Sequence, residues 1–302
     1  MQILSDIPEL RAALRQLRAS SERPTPRSVG FVPTMGALHA GHRSLVQAAR
    51  QHCDIVVVSI FVNPTQFGPN EDFSRYPRTL EQDCQILEAE GVDVVFTPTS
   101  ETMYPSGAST FVDVDGVSGR LDGASRPGHF RGVATVVAKL FHIVQPDLSF
   151  FGQKDAAQVA VLRKMVRDLD FPLEIIVCPT VRESDGLAMS SRNRYLSPEE
   201  RRQALTLSRA LHAAEIQAAR GEVAAATASA LLETMRATLQ EEPTIRVDYI
   251  AVVDPDSLLP IDDIGAGALL AIAAYVGNTR LIDNVLLPSA AGNTGMAGKK
   301  KS

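Results

Sequence analysis

The chain reads as α/β, with a doubly wound parallel sheet followed by a smaller C-terminal α+β domain. Three observations carry this reading. Continuous apolar runs rich in β-branched residues, such as Ile55, Val56, Val57, Val58 and Ile60, suit strands buried on both faces. Amphipathic segments separate these runs, so strands and helices alternate as far as Pro179. From about Thr180 the alternation stops, and two long helical segments precede three strands.

In chain order, Ile7, Leu10, Leu14 and Leu17 recur at helical spacing and predict an opening amphipathic helix. Arg23-Pro24-Thr25-Pro26 breaks it and leads into a first strand at Val29 to Val32. A helix over Arg43 to His52 and a strand over Asp54 to Val62 follow. Asn63-Pro64 ends that strand and opens a loop containing Gly68, Pro69 and Asn70. The pattern then predicts a helix over Thr79 to Glu90, a strand over Val92 to Phe96 and a short strand over Phe111 to Asp115. Gly116 to Gly132, rich in glycine and arginine, reads as a mobile loop. Helix over Val133 to Val144, strand over Leu148 to Phe151, helix over Ala156 to Leu169 and strand over Leu173 to Cys178 complete the alternation. In the second part, Ser197-Pro198-Glu199-Glu200 supplies an N-cap, a proline at the first helical position and acids in the first turn. A long Ala-rich helix follows, then Gly221 and a second helix to about Gln240. Val247 to Val253, Leu269 to Val276 and Arg280 to Leu286 read as a small sheet. The predicted domains are therefore 1–179 and 180–287, with 288–302 an expected disordered tail.

A net charge of −5 and a pI near 5.7 argue against a nucleic-acid surface, which needs a basic face. The one basic run, Lys299 to Lys301, reads as a solvated tail. Cys53, Cys84 and Cys178 show no C-x-x-C spacing and are odd in number, so neither a disulfide framework nor a zinc site is suggested, and a reducing cytoplasm fits. Met1 to Arg18 carries Asp6, Glu9, Arg11 and Arg15, which leaves no signal-like apolar region, and no segment is long and apolar enough to span a bilayer. No membrane partner is expected.

The segment Met35-Gly36-Ala37-Leu38-His39-Ala40-Gly41-His42 falls where the first strand gives way to a helix. In an open parallel sheet that junction lies at the ligand-binding edge, and the helix N-terminus attracts phosphate. Imidazoles there can donate to phosphate oxygens; a turn with a capping histidine is the alternative. Asn63 and Gln66 leave the next strand at the same edge, as ligand contacts or as stabilisers of the turn around Pro64. Gly152-Gln153-Lys154-Asp155 also joins a strand end to a helix, with Lys154 a point charge for phosphate and Asp155 a helix cap. Met189, Ser190, Ser191 and Arg192 follow the Gly186 turn, where two hydroxyls and an arginine can close over a triphosphate. Arg126, His129 and Arg131 add positive potential or form an ordinary solvated loop. His52, His142 and His212 lack such company and read as structural.

The order P-T-M-G-A-L-H-x-G-H, F-V-N-P-x-Q-F, Y-P-R-T (Tyr76 to Thr79), R-P-G-H-F-R-G-V-A-T-V-V (Arg126 to Val137), F-F-G-Q-K-D-x-x-Q and M-S-S-R-N-x-Y-L (Met189 to Leu196) closely resembles the pantothenate synthetase family, a branch of the H-x-G-H nucleotidyltransferases. The resemblance implies a Rossmann-like domain binding ATP and pantoate, with the C-terminal domain as a lid. It implies ATP-dependent condensation of D-pantoate with β-alanine through an enzyme-bound pantoyl adenylate, with Mg²⁺ and a homodimer. Carried over by position, it puts Met35 to His42, Gly152 to Asp155, Val181 and Met189 to Arg192 at ATP. His39, His42, Lys154 and Arg192 become the catalytic set, and Gln66, Gln158 and Asn63 the substrate contacts. Asp83 becomes the candidate metal contact, although Gln82 stands where the family often carries an acid. An H-x-G-H adenylyltransferase with another acceptor, or a non-catalytic nucleotide-binding protein on the same scaffold, are the alternatives.

Overall fold

The Val- and Ile-rich runs pair side by side as a parallel sheet, because such strands can bury both faces only between helices. A computed structural model describes residues 1–19, 25–69, 71–220 and 227–289. The chain divides into two compact units, Met1–Gly119 with Gly123–Val181 and Met189–Ser191, and Arg120–Asp122 with Arg182–Ala188 and Arg192–Ser302.

The first unit begins with β1 (Gln2–Leu4), α1 (Ile7–Ala19), β2 (Val29–Thr34), α2 (Ala40–His52) and β3 (Ile55–Ile60). It continues through α3 (Leu80–Ala89), β4 (Val94–Phe96), α4 (Ser100–Met103), α5 (Asp122–Ser125, whose first residue groups with the second unit) and α6 (His129–Val144). It closes with β5 (Leu148–Gly152), α7 (Ala156–Asp168) and β6 (Glu174–Cys178). The six strands lie in the order β1-β4-β3-β2-β5-β6, all pairs parallel. From β2 the chain builds outward to β3 and β4, then returns to place β5 on the other flank of β2. The order therefore reverses between β2 and β5, and such a reversal opens a ligand crevice at the carboxyl ends of the two strands. One face of the sheet packs Val32, Val56, Val58, Val95 and Phe150 against Leu45, Val46 and Ala49 of α2 and Leu87 of α3. On the other face Phe31 meets Phe141 of α6 edge-on, with ring centroids 6.4 Å apart.

The second unit holds α8 (Pro198–Ala219), α9 (Ala228–Gln240), β7 (Arg246–Val253), β8 (Ala268–Val276) and β9 (Thr279–Leu287). Its strands form an antiparallel sheet in the order β7-β8-β9. Leu207 and Leu211 of α8, with Leu231 and Met235 of α9, pack with Leu270, Ile272 and Ala274 of β8. Helix α8 opens as its sequence predicts, with a reciprocal capping box between Ser197 and Glu200.

Three expectations change and one strand is added. The edge strand β1 has three residues, too few to show any periodicity in sequence. Phe111 to Asp115 is not a strand, because the N–H of Val112 bonds to the Thr135 hydroxyl on α6 instead of a neighbouring strand. Gly116 to Gly132 is not a featureless loop: it contains the turn Val117–Gly119, α5 and the first turn of α6. Asp155 stands at the N-cap position of α7, but its side chain makes no capping bond and instead lies 3.3 Å from Lys154 Nζ. Arg23, Pro24, Asn70, Gly221 and the tail from residue 290 lie outside the described residues.

Candidate active site

Strand β2 ends at Thr34 and α2 starts at Ala40, so residues 35–39 must turn sharply at the crevice. Gly36 and Ala37 both adopt positive φ, 80° and 51°, a conformation that costs an L-residue such as alanine about 1–3 kcal/mol. Asp83 on α3 holds them there. Its Oδ2 accepts the N–H of Ala37 at 2.9 Å, its Oδ1 accepts the N–H of Leu38 at 2.8 Å, and the Thr79 hydroxyl donates to Oδ2 at 3.2 Å. The residue is 1% exposed. Both oxygens therefore accept bonds that hold the turn, a structural role for the residue carried over as the metal contact. No cluster of three or more His, Cys, Asp or Glu among the described residues offers another protein-built metal site.

His39 is the N-cap of α2, and its Nδ1 accepts the N–H of Gly41 at 3.1 Å. The backbone N–H of His39 in turn reaches His42 Nδ1 at 3.3 Å, so the two histidines form a reciprocal capping box. The capping and ligand-binding readings of this motif are therefore compatible. A ring nitrogen that accepts a backbone N–H carries no proton, which places the proton of each neutral imidazole on Nε2. Burial and the neighbouring His39 push the His42 pKa down to about 3, so His42 is neutral near pH 7. The ring centroids lie 4.1 Å apart. A Cβ at position 41 would sit 2.9 Å from the His39 ring carbon Cε1, so a larger residue there would force the ring to shift.

From the other side of the crevice, β5 ends at Gly152 and a single 3₁₀ turn, Gln153–Asp155, feeds α7. The charges of Asp155 and Lys154 both act on His42, the first raising and the second lowering its pKa, which brings the two strand ends into one electrostatic site. The Lys154 side chain is 20% exposed, so its charge is only partly screened. Met189 joins this unit through its N–H bond to Val181 O at 2.9 Å, and its Cβ lies 3.8 Å from where a Cβ on Gly41 would be. Ser190 and Ser191 follow, half-buried, with the Ser191 hydroxyl 3.5 Å from that of Tyr76. Arg192 falls in the second unit, within the 3₁₀ turn Ser191–Tyr195.

Asn63 is 1% exposed and fully employed at the end of β3. Its Nδ2 donates to Gln66 Oε1 at 3.1 Å and to Gly132 O at 3.2 Å; its Oδ1 accepts from Tyr104 Oη at 2.8 Å and from the N–H and hydroxyl of Thr65. Asn63 therefore builds the turn and orients Gln66. With Oε1 turned to Asn63, the Gln66 amide presents its Nε2, which lies 3.1 Å from Met35 Sδ beside the His39 turn. Gln158 stands half-buried in the first turn of α7. Sequence reasoning missed Tyr104 and Thr79, whose hydroxyls act only through contacts distant in sequence or local to one turn. It also left Arg126 and His129 between a ligand and solvent, whereas both are engaged within the protein.

The family described as pantoate-beta-alanine ligase matches residues 2–286. The pantothenate synthetase of Acidobacterium capsulatum is 64% identical over 293 residues, 95% of this chain and 97% of the relative. A crystal structure of pantothenate synthetase from Thermus thermophilus superimposes with a TM-score of 0.87 at 50% identity, covering 94% of this chain and 99% of that one. The pantoate-beta-alanine ligase of Francisella tularensis, complexed with beta-gamma ATP and beta-alanine, superimposes with a TM-score of 0.74 at 36% identity, covering 95% and 97%.

Proposed function

The chain belongs to the pantoate–beta-alanine ligase family, and from that membership we infer how its residues divide the work of joining pantoate to β-alanine with ATP. The pantoate carboxylate attacks the α-phosphorus of ATP, the bond to the β-phosphate oxygen breaks, and pyrophosphate leaves. The β-alanine amine then attacks the acyl carbon of the pantoyl adenylate, AMP departs with the acyl-oxygen electron pair, and the amine proton passes to solvent. No protein nucleophile is needed. The chain supplies orientation and neutralisation of the charge that grows on the phosphates.

The reading rests on one observation above others: two imidazoles at a helix N-terminus whose Nδ1 atoms accept backbone N–H groups, which leaves the proton of a neutral ring on Nε2. His42, neutral at working pH, stabilises leaving pyrophosphate as a hydrogen-bond donor rather than as a free acid. Lys154 adds the cation, with the 152–155 turn and Met189 to Ser191 lining the nucleotide. Gln66 offers its amide N–H to the acid substrate, and Gln158 faces the same substrate from α7. Mg²⁺ enters as part of the nucleotide substrate, held by phosphates and water, as is usual for this ion. The homodimer and a cytoplasmic location are carried over from the family; no helix among the described residues is long and apolar enough to cross a membrane.

Exchange of labelled pyrophosphate into ATP tests the reading. It should require pantoate and proceed without β-alanine. Exchange supported by β-alanine alone, or by no acid offered, overturns it.

A further inference from the structure

The R-P-G-H-F-R-G segment takes no part in the chemistry above, and the structure shows where its cations are engaged. Arg126 forks onto Glu71, with Nε to Oε1 at 2.7 Å and Nη2 to Oε2 at 2.6 Å. Burial raises the Glu71 pKa, yet the Arg126 guanidinium outweighs it and holds that carboxyl below its usual range. The Arg126 charge is therefore answered from within the protein. Its Nη1 lies 2.9 Å from His129 Nε2, and because a guanidinium only donates, that nitrogen accepts. The His129 proton then sits on Nδ1, which donates to the backbone oxygen of Gln66 at 2.8 Å.

These bonds converge on one turn, Pro64–Gln66. Glu71 fastens the chain five residues after it, His129 holds its last carbonyl, and the side chain of Asn63, the residue just before it, donates to Gly132 O. Helix α6 lies backbone to backbone against it: a Cβ on Gly132 would run into Thr65 O and lie 2.7 Å from Gln66 Cα. A surface ion pair would not need a glycine beneath it or a second bond to the carbonyl of a substrate contact.

We propose that Arg126 and His129 are positioning residues, which with Glu71 and Gly132 fix the Pro64–Gln66 turn so that the Gln66 amide meets the acid substrate. The proposal rests on the reading of Gln66 as a pantoate contact. Displacing a contact by about 1 Å can cost on the order of a hundred-fold in rate.

Steady-state kinetics of the pantoate-dependent exchange, on variants checked for folding by circular dichroism, separate the possibilities. His129→Ala and Arg126→Lys should lower kcat/KM for pantoate by roughly ten- to a hundred-fold while moving KM for ATP less than about threefold. His129→Asn keeps a donor near the Nδ1 position and should recover most of the loss. Equal loss toward ATP and pantoate, or no difference between His129→Asn and His129→Ala, overturns the proposal. Gln66→Ala measured alongside keeps the two readings apart. If it leaves pantoate kinetics intact, the role of Gln66 fails; if it impairs them while folded His129→Ala does not, the positioning role fails.

Discussion

Asp83→Asn separates a loop clamp from a metal ligand. In the wild type two backbone N–H groups of the 36–38 turn point at one buried carboxylate, at 2.8 and 2.9 Å. Hydrogen bonds to a charged acceptor contribute about 1.5–3 kcal/mol each, and a buried donor left without a partner costs about 1–3 kcal/mol. Asparagine keeps one carbonyl oxygen but sets an NH₂ group against the other N–H, so one bond is weakened and the other becomes a donor facing a donor. The expected loss is about 2–4 kcal/mol of unfolding free energy, read by urea denaturation. Because the released turn leads directly into the His39 cap, adenylation should fall by about a hundred-fold as well. The Mg²⁺ concentration for half-maximal activity should stay where it is. Unchanged stability together with a several-fold rise in that concentration would refute the clamp and restore Asp83 as a metal contact.

His42→Ala and Lys154→Ala should each lower the single-turnover rate of adenylate formation by about a hundred- to a thousand-fold, the range for losing one preorganised donor, with the fold retained; near-full activity in a folded variant removes that residue from the site. The low pKa of His42 also makes a stability prediction. The unfolded chain takes up a proton near pH 6.5 that the folded one refuses until about pH 3, so this stabilisation is present above pH 6.5 and is lost as pH falls through that window. Between pH 6.5 and 4.5 the wild type should lose about 2–3 kcal/mol more than His42→Gln does, at about 1.4 kcal/mol per unit; parallel curves would refute the shifted pKa. Gln66→Ala should slow both adenylate formation and its capture by β-alanine, whereas Gln158→Ala should slow mainly the first; single-turnover measurement of each step decides, and a Gln66 effect confined to the first step would make it a pantoate contact alone.

The strands most plainly legible in the sequence are those buried at nearly every position. Val56 to Val58 and Leu269 to Ile272 carry apolar residues at every position, and every one of them is buried. The β1 strand, half-exposed and three residues long, leaves no such trace. Phe111 to Asp115 alternates like a strand, yet its Val112 N–H donates to a threonine hydroxyl on α6 and not to a neighbouring strand. Local pattern records burial well and records the partner of a backbone group poorly.

The same division runs through the site. Histidines, glycine and lysine at strand ends were readable because their positions follow from the fold and their chemistry from residue type. Where a charge is spent is a different question, since it depends on a partner elsewhere in the chain. For Asp83 the sequence gives no sign that it accepts the N–H groups of residues 37 and 38, some 45 residues earlier. Arg126 reads as positive potential or as a solvated loop residue, and neither reading foresees Glu71, 55 residues away. In both cases the charged residue is engaged by the protein itself, Asp83 by the backbone of the 36–38 turn and Arg126 by a carboxylate. A charged residue near a phosphate site is thus as readily a support for the groups that touch ligand as a contact itself, and only a variant that separates binding from folding tells the two apart.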